Sequence, residues 1–170
     1  MATTRDYFNE WFRDVLRDLY KDSRAGFVVV ITTLALLERY LRNKSGLSPK
    51  DKLTKRFWTE FHTLFPQIPD ANVAKAFWHV SRNGLLHQAT FNMKTERGDV
   101  SEVGLNDSGP DIEYRTTGAA LRFMISPTKF SSKIINTIEN DFATFEGSGP
   151  SSVEILQNVT TCRVATATLA

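Results

Sequence analysis

The run from Phe27 to Leu37 constrains this chain most. Its 11 residues are apolar except for Thr32 and Thr33, so they offer no polar face at helical spacing. A helix that is apolar all round has to be covered on every side. Crossing a bilayer takes about 20 such residues, so the run predicts a buried central helix and no membrane span. Ser23 is placed to cap that helix and Gly46 to stop it, with the last turn near Lys44. Its second half, Glu38-Arg39-Tyr40-Leu41-Arg42, turns amphipathic.

The other segments supply faces to cover it. Residues 3–22 place Tyr7, Phe8, Trp11, Phe12, Val15, Leu16, Leu19 and Tyr20 at helical spacing, with charge on the opposite face. That stripe reads as core first and as a docking face for a partner helix second. Ser48-Pro49 has the form of a cap followed by a proline in the first turn. It predicts a third helix from Pro49 to about Phe65, broken by Pro66 and Pro69. A fourth starts near Asp70, with Val73, Phe77, Val80 and Gly84 on its buried side. Ser126-Pro127 repeats the helix start for a fifth, running to Glu146 with Phe130, Ile134, Ile138, Phe142 and Phe145 as its stripe.

Between the fourth and fifth helices, residues 92–120 carry Gly98, Gly104, Gly109, Pro110 and Gly118. Short apolar alternations at Val100–Leu105, Ile112–Tyr114 and Leu121–Ile125 have strand character. The expectation is an all-α protein: an up-and-down bundle of about five helices, with a small β-hairpin inserted between the last two. Residues 1–146 would form the helical domain, with 92–120 as its insertion. Residues 147–170 would be a Ser/Thr-rich tail, in which Val153–Leu156 and Val159–Val164 could pair as strands.

Composition excludes several classes. The 170 residues carry a formal charge of +2, too little to argue for a polyanionic partner from total charge. The single cysteine, Cys162, allows neither an internal disulfide nor a Cys-rich zinc site, and suits a reducing, cytoplasmic setting. No basic-apolar-small signal segment opens the chain. There is no phosphate-binding glycine loop, no paired-histidine zinc spacing and no G-x-S-x-G elbow, so no metal or cofactor is expected. Charge is uneven, however. Residues 39–56 hold Arg39, Arg42, Lys44, Lys50, Lys52, Lys55 and Arg56 against Asp51 alone. The plain reading is a solvated helix corner. The functional one is a phosphate-contacting rim, with Arg39, Arg42 and Lys52 as nucleic-acid contacts.

One segment concentrates chemistry. Ser81-Arg82-Asn83-Gly84-Leu85-Leu86-His87-Gln88 sets a permanent cation, a carboxamide and an imidazole within six residues at the end of helix four. On an α-helix Asn83 and His87 share a face. Arg82 would sit about 140° away from His87 at 100° per residue, unless its long side chain or a bend at Gly84 closed the gap. Such a trio suits metal-free phosphodiester cleavage. Histidine can move protons near neutral pH, and arginine can hold non-bridging oxygens with paired hydrogen bonds. The structural alternative is that Arg82 and His87 only complement the helix dipole. His62 and His79, beside aromatic positions of their helices, read as packed or partly exposed histidines.

Arg82-Asn83-(three residues)-His87 resembles the Arg-Asn-x-x-x-His form of the signature of the HEPN (higher eukaryotes and prokaryotes nucleotide-binding) superfamily. The resemblance covers about residues 5–146. It implies an up-and-down helical bundle with the motif closing the penultimate core helix. It implies a metal-independent endoribonuclease of the toxin, phage-defence or RNA-processing kind, working as a homodimer whose two motifs share one cleft. His87 would be the acid/base, Arg82 the phosphate and transition-state contact, and Asn83 their support. Glu38 is similar to the polar cleft-lining residue of the second helix in some members. An antitoxin or a nucleotidyltransferase would be a further protein partner. Other members are non-catalytic binding or dimerisation modules. A solvent-open cleft at a dimer interface separates the enzyme from a plain helical adaptor, for which Arg82 would be buried and paired internally.

Overall fold

A computed structural model of the chain describes residues 3–88, 92–94, 100–118 and 120–147; within these, the side chains of residues 83, 85–88, 92–94, 100 and 117 are outside the description. The strands suggested for Val153–Leu156 and Val159–Val164, and Cys162, also lie outside the described residues.

The apolar run does form the central helix. After a short 3-10 turn, Ser23–Ala25, whose cap is the Asp22 carboxylate, α2 spans Gly26–Ser45. Gly46 ends it in the left-handed region at φ 70°, where a residue with a Cβ would be strained. Val29, Val30, Leu34, Leu36, Leu37, Tyr40 and Leu41 are buried, but the run is not covered on every side: Val28 is 54% exposed and Ala35, one face-repeat further on, is exposed as well. The helix before it, α1 (residues 4–19), runs through Thr4–Phe8, a turn of π geometry at Asn9–Arg13, and Asp14–Leu19. The wider turn shifts the phase of the stripe. Phe8 and Leu16 are buried, while Val15, expected inward, is 47% exposed.

Helix α3 spans Lys55–Leu64, starting six residues later than Ser48-Pro49 suggests. Those residues are not free to begin a helix, because the carbonyls of Ser48 and Asp51 both accept from Arg42 Nη1 at 3.0 Å. Helix α4 (residues 71–88) starts as Ala71–Trp78 under an Asp70 cap and continues as His79–Gln88 in π geometry. Helix α5, Pro127–Asn140, has the expected Ser126 cap and proline start. The chain resets at Asp141 into a short α6, Phe142–Glu146, with Phe142 and Phe145 buried beside Phe8. Helices α1, α3, α5 and α6 and the π half of α4 all pack against α2.

The all-α expectation is wrong: the fold is mixed. In place of a hairpin, the described residues hold a four-stranded sheet in the order β1-β2-β4-β3. Its strands are β1 Asn92–Lys94, β2 Val100–Leu105, β3 Ile112–Thr117 and β4 Ala120–Ile125. β4 inserts between β2 and β3, parallel to the first and antiparallel to the second. The physical reason is burial. A lone hairpin is marginal in water, whereas three or more strands with one apolar face can pack on a helix. Val103, Ile112, Phe123 and Ile125 form that face, and Phe123 meets Phe77 of α4 edge-on at 5.4 Å. Gly104 lets the parallel pair close up, since a Cβ there would lie 2.9 Å from Met124 Sδ.

Phe123→Ala should therefore cost about 3–5 kcal/mol of stability, with sheet and helices melting together in urea when followed by tryptophan fluorescence and far-UV dichroism. A loss under about 1 kcal/mol would mean that the sheet is an appendage and not part of the core.

Candidate functional site

The charged half of α2 builds the site. Glu38 and Arg42 are one turn apart, in the order that favours pairing along a helix, and the Glu38 carboxylate accepts Arg42 Nε at 2.8 Å. From α4, Arg82 reaches the same carboxylate, with Nε 2.8 Å from Oε2 and Nη2 3.4 Å from Oε1. One carboxylate thus carries two guanidiniums from two helices. The Glu38 side chain is 13% exposed and that of Arg82 29%. Burial pushes the Glu38 carboxyl up, but the hydrogen bonds from Arg82 and Arg42, reinforced by their charges, outweigh it and hold it below its ordinary 4.5.

Arg39 and Asn43 lie on the same stretch of α2 and grip the end of α6. Arg39 Nε donates to the Phe145 carbonyl at 3.1 Å and Nη2 to that of Glu146 at 3.3 Å, with the guanidinium 4.9 Å from the Phe145 ring centre. Asn43 Nδ2 donates to the Phe145 carbonyl at 3.0 Å. A cation here satisfies carbonyls that a helix leaves unpaired at its C-terminus. Burial draws the Arg39 pKa down, with Glu146 opposing.

Between these groups opens a cleft of about 340 Å³, walled by Ala35, Glu38, Arg39, Arg42, Leu47 and Arg82 among others. Four of the residues singled out from the sequence, Glu38, Arg39, Arg42 and Arg82, therefore line one cavity. Lys52 does not; it is exposed on the loop before α3. Arg39 and Arg42 are not bare rim cations, since both spend hydrogen bonds on the protein itself. Arg82 falls between the two cases that would separate enzyme from adaptor: it is paired internally, yet it faces an open cleft.

Asn83 and His87 share the segment His79–Gln88 with Arg82. The π geometry changes the spacing argument. Bonding from i to i+5 widens the turn, so positions 82 and 87 lie closer together around the axis than on an α-helix. On an α-helix the two would be off-face. Relative to an α-helix, this backbone reduces the angle between positions 82 and 87 without a bend at Gly84. Helices adopt this geometry rarely, and often at functional sites.

Sequence reasoning found Glu38 through its likeness to a cleft residue, and the Glu38–Arg42 spacing was there to be read. The Arg82–Glu38 pair, 44 residues apart, and the grip of Arg39 and Asn43 on α6 had no local signal. Comparison of the chain with models of known families, with curated proteins and with solved structures finds no match in any of the three. No helix of the described residues is long and apolar enough to cross a membrane.

The depressed Glu38 pKa has a signed consequence. The ionised form stabilises the fold above the ordinary carboxylate range, and that contribution is lost as pH falls through the folded-state value. Glu38→Gln should lower stability by about 2 kcal/mol at neutral pH, because it strands two partly buried guanidiniums. The gap from wild type should narrow as pH drops below 4.5. Urea titrations at neutral and acid pH check this. A gap that stays constant with pH would show that the Glu38 charge contributes nothing.

Proposed function

We propose that this chain is a metal-independent endoribonuclease of HEPN type that acts as a homodimer, in the setting of a prokaryotic toxin or phage-defence effector in the cytoplasm. The observation that carries the reading is the position of Arg82. Its guanidinium, on a rare π-geometry segment that also holds Asn83 and His87, lines an open cleft and is oriented by Glu38 of the central helix.

The chemistry follows from the residue types. The ribose 2′-oxygen attacks the adjacent phosphorus, the bond from phosphorus to the 5′-oxygen breaks, and a 2′,3′-cyclic phosphate is left. One proton must leave the 2′-hydroxyl and one must reach the 5′-oxygen. Imidazole titrates in the right range for both transfers, and two copies of His87 related by a two-fold axis would supply a base and an acid. Arg82 would hold the non-bridging oxygens as charge builds on them. Glu38 keeps that guanidinium in place between turnovers, and Asn83 supports its neighbours. An antitoxin or a nucleotidyltransferase would be the matching protein partner.

A second reading rests on one specific observation. Glu38 already neutralises much of the Arg82 charge, which suits a non-catalytic nucleotide-binding or dimerisation module.

Two measurements decide between them. With purified protein and labelled RNA in EDTA, His87→Ala should lower cleavage at least about 10²-fold, the scale of general acid-base catalysis. Arg82→Lys should fail as well, because an ammonium cannot make the forked contact. His87→Ala cleaving at the wild-type rate would hand the case to the non-catalytic module. Light scattering should give a dimer at tens of micromolar, roughly the scale of ordinary associations; a strict monomer would remove the paired-histidine mechanism.

A further inference from the structure

A second groove, sharing no lining residue with the cleft, lies between α3 and the start of α4. It encloses about 240 Å³, and Lys55, Trp58, His62, Asp70 and Ala74 are among its walls. That is below the roughly 300 Å³ at which pockets for drug-sized ligands begin, and suits one flat ring better than a whole nucleotide. Trp58 is half-buried, wedged by near-perpendicular contacts with Phe57 at 5.1 Å and Trp78 at 6.3 Å. Among the described residues its indole N–H has no hydrogen-bond partner.

The charge around this groove differs from that of the rest of the surface. Elsewhere many cations are paired, as in Arg13–Glu139, Arg122–Glu102 and Lys133–Asp111. The side chains of Lys50, Lys52, Lys55 and Arg56 are exposed, and none makes a hydrogen bond or ion pair among the described residues. The nearby carboxylates are engaged. Asp70 accepts the N–H groups of Asn72 and Val73 at 2.7 and 3.0 Å, Asp51 accepts that of Ser48 at 2.6 Å, and Glu60 faces Lys44 at 3.5 Å. Of these cations Lys55 lines the groove with its aromatic wall, and Lys50, Lys52 and Arg56 precede or follow it closely in the chain.

We propose that this groove binds an unpaired nucleic-acid strand, with one base stacked on Trp58 and the flanking phosphates on Lys52, Lys55 and Arg56. Uncompensated lysines and arginines give the counterion-release part of such binding, and an aromatic ring beside them gives the sequence-tolerant stacking part. A duplex keeps its bases stacked inside and cannot use the ring. A lipid surface would call for a projecting tryptophan, whereas this one is recessed. The inference goes beyond the cleavage reading and holds whether or not His87 is catalytic.

The test uses the full chain and fluorescein-labelled dT12, which has no 2′-hydroxyl and so survives the proposed reaction, with U12 in EDTA as a second probe. Anisotropy is followed over a KCl series. Wild type should bind both. Lys52→Glu/Lys55→Glu should weaken binding at least tenfold at low salt and flatten the salt slope by about 1.4, at about 0.7 per phosphate contact, with an unchanged melting temperature. Trp58→Phe should stay within about threefold of wild type, and Trp58→Leu should lose about tenfold, the scale of one stacked base. Because dT12 cannot be cleaved, its binding is read apart from the reaction, so that a failure of the cleavage reading leaves this result standing. Should Trp58→Leu not fold, photocrosslinking of 5-bromouridine RNA to the wild-type chain replaces it, with the crosslink expected at Trp58. Unchanged affinity in the double variant overturns the proposal even if RNA is cleaved. So does a crosslink found only elsewhere, and so does a polyphosphate of equal charge binding as tightly as dT12, which would leave the patch a plain polyanion surface.

Discussion

The structure depends on covering one helix. Most of the first half of α2 leaves water, apart from the side that carries Val28 and Ala35, and no single neighbour can cover so wide an apolar surface. Helices α1, α3, α5, α6 and part of α4 are arranged around it because each brings a stripe of aromatic or branched side chains. The aromatic contacts run outward from that axis: Phe8 to Phe142 and Phe145, Phe61 to Phe65 and Phe77, and Phe77 on to Phe123 of the sheet.

The same helix changes character at Glu38, and that change locates the site. Where apolar residues give way to Glu38, Arg39, Arg42 and Asn43, neighbouring elements are held by hydrogen bonds. Glu38 holds α4 through Arg82, Arg42 holds the loop before α3, and Arg39 with Asn43 holds α6. A carboxylate that carries two guanidiniums is worth keeping only with both present, because removing it would leave two partly buried charges uncompensated. The pairing also orients Arg82 in the cleft without burying it. One residue, Glu38, therefore ties two helices together and fixes the guanidinium that faces the cleft.

Two departures from the sequence reading share a cause. The π geometry at residues 9–13 and 79–88, and the strand β4 slipped between β2 and β3, are both choices that local pattern cannot express. At about 100° per residue Val15 falls inward and position 82 lies off the face of position 87. A wider turn changes both angles. Likewise, three short apolar alternations at Val100, Ile112 and Leu121 mark strands correctly and say nothing of their order. A parallel neighbour 20 residues away is selected by the apolar face that α4 presents.

What the sequence by itself determined is what short-range chemistry dictates. The apolar run from Phe27 called for a central helix that is buried over most of its surface. Gly46 ended that helix, Asp70 and Ser126-Pro127 began two others, and Glu38 with Arg42 was set for pairing four residues apart. Arg82-Asn83-(three residues)-His87 could be read as a motif at the end of the fourth helix. Tertiary structure alone decided the rest. It chose a mixed sheet over a hairpin, spent Arg39 and Arg42 on carbonyls and a carboxylate instead of leaving them bare, and joined Arg82 to Glu38 across 44 residues. Among the described residues it also left Lys55, which lines a groove with Trp58, without an ion-pair partner. Caps, stops and single-turn pairs are fixed by neighbours in the chain. The partner of a charge, and the cover for a strand, are fixed by whatever packing brings within a few ångströms, and no local pattern records that.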